Sequence, residues 1–181
     1  VDEKTMLPMV VKKLQSAIDL PLQLDSTNAE ALEAGLRVYN GIAAVNSVNG
    51  EKESLEKILP VVKKYGACVV GLALDGEGVP DSADKRMDIA RRILGAAREH
   101  GIADENLWID CLTLTVSAQA EQAGETLDAL RRVKSELGLK TVLGVSNISF
   151  GMPNRGLINR TFLAHLKVRA QSIDNRHVRH P

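Results

Sequence analysis

The feature that most constrains this chain is a strict alternation of two kinds of segment. Five short apolar stretches, residues 22–24, 43–45, 68–74, 107–109 and 141–145, are each too short for a buried helix and mostly rich in Val, Ile or Leu, so each reads as a strand. Between them lie four longer stretches with helical periodicity, about residues 28–39, 51–65, 81–100 and 119–137. Thr27-Asn28-Ala29-Glu30 is a capping box for the first of these. Gly41, Gly66, Gly101 and Gly138 follow closely on the four helical segments, as expected of the residue that best takes the left-handed conformation past a helix end. Pro60 is expected to kink the second helix or split its last turn. In the fourth, Leu127, Leu130, Val133 and Leu137 form one apolar stripe.

Strand and helix repeated four times and closed by a fifth strand is the pattern of a parallel α/β sheet. The first and last strands start at residues 22 and 141, or about 30 residues per unit. Two architectures fit. A five-stranded doubly wound sheet would be complete in 181 residues. An eight-stranded barrel needs roughly 240–250, so this chain would be a piece of one. Pattern alone favours the smaller, complete sheet as one domain.

Charge narrows the partners. Lys and Arg total 23 against 23 Asp and Glu, so no net charge draws the chain to nucleic acid or to a membrane surface. The longest uncharged apolar run, residues 67–74, is far shorter than a membrane helix. The opening Val1-Asp2-Glu3-Lys4 does not resemble a signal peptide, and the missing initiator Met reads as a fragment or a processed segment. Cys68 and Cys111 sit in apolar runs as small buried hydrophobes, which makes a reducing, cytoplasmic setting the default.

Each expected strand ends in, or just before, an amide or carboxylate: Asp25, Asn46, Asp75, Asp110 and Asn147. In a parallel sheet these ends share one rim, where α/β proteins place their ligands. The plainer alternative, that each caps a helix or starts a turn, explains any one of the five better than all five together. No nucleophile–base pair is evident, since His100 closes a helix and His165, His177 and His180 crowd the C-terminus. No His or Cys joins the carboxylates with metal-ligand spacing, so no metal site is expected. The better match is a flat heterocycle with several N–H donors. A carboxylate accepts two parallel N–H bonds from an amidine-like fork, and an Asn offers both donor and acceptor to the adjoining ring edge.

Four motifs then point to a family. LDSTN (24–28), VNSVNGE (45–51), WIDCLTLTVSAQ (108–119) and GVSNISFGMPNR (144–155) resemble, in this order and spacing, the pterin-binding domain of methyltetrahydrofolate–corrinoid methyltransferases. CLTLTVSAQ is most similar to the folate domain of cobalamin-dependent methionine synthases. The resemblance covers about residues 1–164 and implies a partial TIM-type barrel of about five parallel strands. These are the third to seventh of eight, without the two strands before them or the last one. This overrules the complete doubly wound sheet. After NRTFLA (159–164) the likeness stops. Residues 165–181 carry four Lys or Arg, one Asp and three His and are expected to be an irregular basic tail, such as a shifted reading frame or a foreign junction would produce. His177 and His180 read as part of that tail rather than as a metal pair.

The resemblance also implies roles. Asp25, Asn46 and Asp110 match residues that hold the pterin ring, and Asn147 matches the Asn approaching N5 of the methylated folate. Gly144 and Ser146 shape the loop that carries Asn147, and Arg155 borders the pocket. The implied activity is methyl transfer from N5 of methyltetrahydrofolate to cob(I)alamin on a corrinoid partner, because the chain has neither a cobalamin signature nor a zinc-binding Cys cluster. Asp75, with Gly76 and Gly78, reads as turn chemistry. Cys111 is expected to face the packing, and Trp108 to pack between strand and helices. A dihydropteroate synthase-like activity is the nearest rival, but Val145–Ser149 lacks the Arg and Lys that enzyme carries at its equivalent strand end. The third reading is a truncated, non-catalytic chain, whose two exposed sheet edges would be covered by a second copy, as in a homodimer, or by the missing strands.

Overall fold

The structure is a computed structural model and describes residues 2–174. Its elements run α1 (Glu3–Gln15), β1 (Gln23–Asp25), α2 (Ala29–Val38), β2 (Ala44–Val48), α3 (Lys52–Tyr65), β3 (Cys68–Leu72), α4 (Ala83–Glu99), β4 (Leu107–Asp110), α5 (Gln122–Leu137), β5 (Lys140–Val142) and α6 (Arg155–Asp174). A 3-10 turn at Asp104–Asn106 leads into β4, and another at Val145–Ser149 follows β5.

All five strands are parallel, and their spatial order is β1-β2-β3-β4-β5. That order decides between the two architectures. A doubly wound sheet reverses direction at a switch point and spreads helices over both faces. An order that never reverses, with right-handed crossovers, keeps every helix on one side and curls the sheet toward a barrel. Each of α2 to α5 packs against the next along this outer side.

The pleat sorts the side chains. Leu24, Val45, Val69, Leu107 and Ile109 share the outer face and are almost wholly buried under the helices. They meet Leu32 and Leu36 of α2, Ile58, Leu59 and Val62 of α3, Met87 and Ile93 of α4, and Leu130 and Val133 of α5. The alternate residues Asp25, Ala44, Asn46, Cys68, Leu72, Trp108, Asp110 and Val142 line the inner face. Asp25 is exposed there, Val70 on the same face is buried, and the rest are half-buried. The hydrophobic core therefore lies between sheet and helices, and the concave side is left for polar work.

Several local expectations shift. Asn28, not Thr27, caps α2, its Oδ1 accepting from Glu30 N at 2.9 Å and Ala31 N at 3.3 Å, while the Glu30 side chain pairs with Lys4 at 2.8 Å. Pro60 sits inside an uninterrupted α3. Gly66 and Gly138 take the left-handed cap after α3 and α5. The buried stripe of α5 is Thr126, Ala129, Leu130 and Val133, with Leu127 and Leu137 only half-buried. Helix α1 was not foreseen; Asp2 starts it by accepting from Lys4 N, and Val11 is its one buried residue. Trp108 is in register with Val70 and two residues from Asp110, so it faces inward rather than toward the helices. Residues 165–174, expected to be irregular, are helical in α6, which Leu166 anchors by packing into the core. His177 and His180 lie outside the described residues. No helix among the described residues is long and apolar enough to cross a membrane.

Because the outer face carries the packing, Ile109→Ala should lower the unfolding free energy by about 2–5 kcal/mol. Val142→Ala, on the half-exposed inner face, should cost clearly less. Urea denaturation followed by circular dichroism measures both.

Candidate functional site

Parallel strands bring their last inward side chains to one rim, and three of the five expected residues stand on strands at that rim. Asp25 ends β1, Asn46 stands directly beside it on β2, and Asp110 ends β4 on the same face. Asn46 Nδ2 donates to Asp25 Oδ2 at 3.1 Å. That bond presents one carboxylate oxygen and one amide oxygen side by side, both free to accept. The peptide bond that follows, Asn46–Ser47, is cis. Asp110 lies two strands away on the same face and one inward position further along.

Asp110 is half-buried and takes a single bond among the described residues, Leu112 N–H to Oδ1 at 2.8 Å. Burial pushes its pKa up, and that one amide bond pulls it part of the way back. Neither Asp110 nor Asp25 forms an ion pair among the described residues, whereas many acidic groups on the helical side do. Arg132 reaches Asp84 at 2.6 Å and Glu136 at 2.7 Å, Arg91 reaches Glu136 at 2.8 Å, and Arg98 reaches Asp104 at 2.6 Å. The inner rim thus offers hydrogen-bond acceptors with no cation to meet them. Next to Asp110, Cys111 turns outward into full burial, which raises its thiol pKa to about 12 and leaves it unreactive.

Asn147 does not stand on a strand. It rides the 3-10 turn after β5, exposed, and its side-chain amide has no partner among the described residues. The turn is built to hold it. A Cβ on Gly144 would come within 2.9 Å of Asn147 Nδ2, so glycine leaves the room that the amide occupies. Arg155 binds from below, Nε donating to Ser149 Oγ and a terminal nitrogen to the Ser146 carbonyl, both at 3.1 Å. Ser146 thereby contributes its carbonyl to the turn, and Arg155 acts as a clamp on it. The loop after β4 ties on as well, with Thr115 Oγ1 donating to the Phe150 carbonyl at 2.7 Å and Val116 N to the Ile148 carbonyl at 3.0 Å.

Asp75 stands apart. It accepts from Glu77 N at 3.2 Å within a tight turn and from Arg92 at 3.3 Å, and it lines a separate cleft with Asp81, Lys85 and Arg92. The rim therefore carries Asp25, Asn46 and Asp110, the Asn147 turn follows the neighbouring strand β5, and Asp75 is engaged elsewhere.

The sequence reading passed over Arg86. It is 1% exposed on the buried face of α4 and donates to the carbonyls of Pro80 at 3.0 Å, Cys111 at 3.0 Å and Leu112 at 3.2 Å. It also donates to Thr126 Oγ1 and Gln122 Oε1, both at 2.7 Å. A charge on an otherwise apolar helical stripe, between Ala83 and Ala90, was the available signal. The loop it grips contains Leu112 at φ 60°, a left-handed conformation that costs a leucine roughly 1 kcal/mol or more.

An outer-helix parallel sheet with acids and amides on the inner rim defines a TIM-type α/β chain with a polar ligand mouth. The chain belongs to the pterin-binding enzyme family, whose pattern matches residues 1–173. It is 35% identical over 167 residues to methionine synthase of Mycobacterium tuberculosis, a match covering 85% of this chain and 14% of that protein. It is 25% identical over 166 residues to methylcorrinoid:tetrahydrofolate methyltransferase of Eubacterium limosum, covering 89% of this chain and 60% of that one. Among solved structures, dihydropteroate synthase of Xanthomonas albilineans, in complex with 6-chloroguanine and indole-2-carboxylic acid, shares the fold at a TM-score of 0.67 and 20% identity. That match covers 90% of this chain and 63% of the synthase. The chain thus spans less than two thirds of each of these relatives.

Burial holds the Asp110 carboxyl above its unfolded pKa of about 3.9. Its contribution to stability is therefore fully present below that value and is lost as pH rises through the folded one. Asp110→Asn keeps an acceptor for Leu112 N–H and removes the charge. It should raise the urea midpoint at pH 7, and the gain over wild type should vanish near pH 3.

Proposed function

We propose that this chain binds methyltetrahydrofolate and supports transfer of its N5 methyl group to a corrinoid carried by a partner protein or domain. The observation that carries this reading is the pair of inner-rim carboxylates with no cation partner, Asp25 beside Asn46 and Asp110 with one amide donor. A pterin edge supplies what they lack: a ring N–H and an exocyclic amino group that a carboxylate accepts as a fork, and further ring atoms for an Asn. The names of the relatives support folate and corrinoid chemistry, and the 6-chloroguanine in the Xanthomonas structure is a flat, nitrogen-rich heterocycle of the same kind.

In this reading the reduced corrinoid, when bound, supplies the nucleophile for the methyl carbon. The chain's own residues do the rest. Asp25, Asn46 and Asp110 fix the ring so that the methyl group points out of the mouth, a positioning contribution. As the C–N bond breaks, N5 keeps its electron pair and must carry a proton to leave as a neutral amine. Asn147 stabilises the protonated N5 through its side-chain oxygen without carrying a charge of its own. The Gly144 gap leaves room for that amide, and the Arg155 clamp fixes the turn that carries it. A dihydropteroate synthase-like reaction has less support. The turn holds no Arg or Lys, and the adjacent Arg155 is engaged within the protein.

Isothermal titration of the chain with methyltetrahydrofolate tests the reading directly. Asp110→Ala should weaken binding by about 1.5–3 kcal/mol, or roughly tenfold to 150-fold. Asn147→Ala should slow single-turnover methyl transfer to an added corrinoid protein more than it weakens folate binding. Strong loss of binding with an intact transfer rate would overturn the role of Asn147. No heat from wild type would overturn the proposal and favour a non-catalytic chain.

A further inference from the structure

A peptide unit is rigid and planar, and its C=O and N–H point in opposite directions. The Cys111 carbonyl and the Leu112 N–H belong to one such unit. Arg86 holds the carbonyl end at 3.0 Å, on the helical side of the sheet, and Asp110 holds the amide end at 2.8 Å, on the rim side. One plane therefore couples a buried cation to the candidate ring-binding carboxylate. We propose that Arg86 is a positioning residue for Asp110: by gripping the backbone of residues 111–112 it aims the Leu112 amide at the carboxylate and holds it there.

Three further observations support this assignment. The same guanidinium nitrogen reaches the Leu112 carbonyl at 3.2 Å, so both ends of a left-handed leucine are held against its own preference. Thr126 Oγ1 lies 3.1 Å from that carbonyl and 2.7 Å from Arg86, which joins α5 to the same grip. Arg86 also has no carboxylate partner among the described residues. Asp81, from the preceding loop, pairs with Lys85 at 3.0 Å, and Glu125 of α5 accepts from the Ala83 amide at 2.6 Å. A cation buried among carbonyls, a hydroxyl and an amide oxygen is a costly way to join helices that already pack through Met87, Ile93, Leu130 and Val133. Three of its five acceptors, the Cys111 and Leu112 carbonyls and Thr126 Oγ1, belong to the loop of residues 111–112 or bind it.

The ligand consequence rests on the pterin reading of Asp110, but the positioning itself is testable without any ligand. In Arg86→Met, the Leu112 amide should lose at least tenfold of its hydrogen-exchange protection. The Asp110 carboxyl, followed by carbon-detected NMR titration, should titrate at higher pH than in wild type. Methyltetrahydrofolate binding, where wild type shows it, should weaken about tenfold. Arg86→Lys keeps the charge but cannot fork across two carbonyls, so it should fall between wild type and the Met variant in all three readouts. It carries the test alone if the Met variant does not fold. Unchanged Leu112 protection and an unchanged Asp110 titration in either folded variant would overturn the proposal. Shifts in both, with no folate binding by wild type, would uphold the positioning role and overturn the pterin reading instead.

Discussion

Everything in this fold depends on the division of each strand into an outward and an inward set of side chains. Five parallel strands in unbroken order put Leu24, Val45, Val69, Leu107 and Ile109 under one continuous layer of helices. Each outward residue is removed from water by two partners, sheet and helix, so the cohesion of the molecule lies on that side. The inner side is thereby released from packing duty. It can carry Asp25, Asn46 and Asp110 at a rim where unneutralised acids would be a liability in any closed core.

The outer side does more than pack. The α4–α5 contact combines an apolar seam with Arg132 bridging Asp84 and Glu136 at the surface and Arg86 fully enclosed beneath. The surface pairs are worth little individually and weaken with salt. Arg86 is different, because two of its acceptors, the Cys111 and Leu112 carbonyls, are main-chain atoms of the rim loop. The helix layer thus reaches through the sheet's end to the inner face, and the stability of the α4–α5 pair and the geometry of Asp110 become parts of one arrangement.

Much of this was legible in the sequence, for identifiable reasons. Short β-branched runs with Asx at their ends revealed the strands and three of the rim residues, because both signals are local. The barrel form was not readable from rhythm; it required the resemblance, and the strand order bears it out. Trp108 was misread although the information was present, since a residue two before Asp110 must share its face. Helix α1 was missed because Met6, Met9, Val10 and Leu14 stay at least 40% exposed, so the amphipathic signal that marks a buried helix is faint. The helical course of 165–174 follows from good helix formers and one anchoring leucine, which a count of charges obscures. Arg86 showed only as a charge on an apolar stripe: three of its five acceptors are main-chain carbonyls, and no residue type announces them.

The two outermost strands are also the shortest together, three residues each, Gln23–Asp25 and Lys140–Val142. An unpaired strand is a template for another chain, and its danger grows with the number of main-chain groups in line. A fringe this narrow, tipped with Asp25 on one side and starting with Lys140 on the other, gives an intruding strand few bonds and a charge to bury at each border. An open curved sheet would ordinarily invite fibrous self-association; edges this short leave such a partner little to hold.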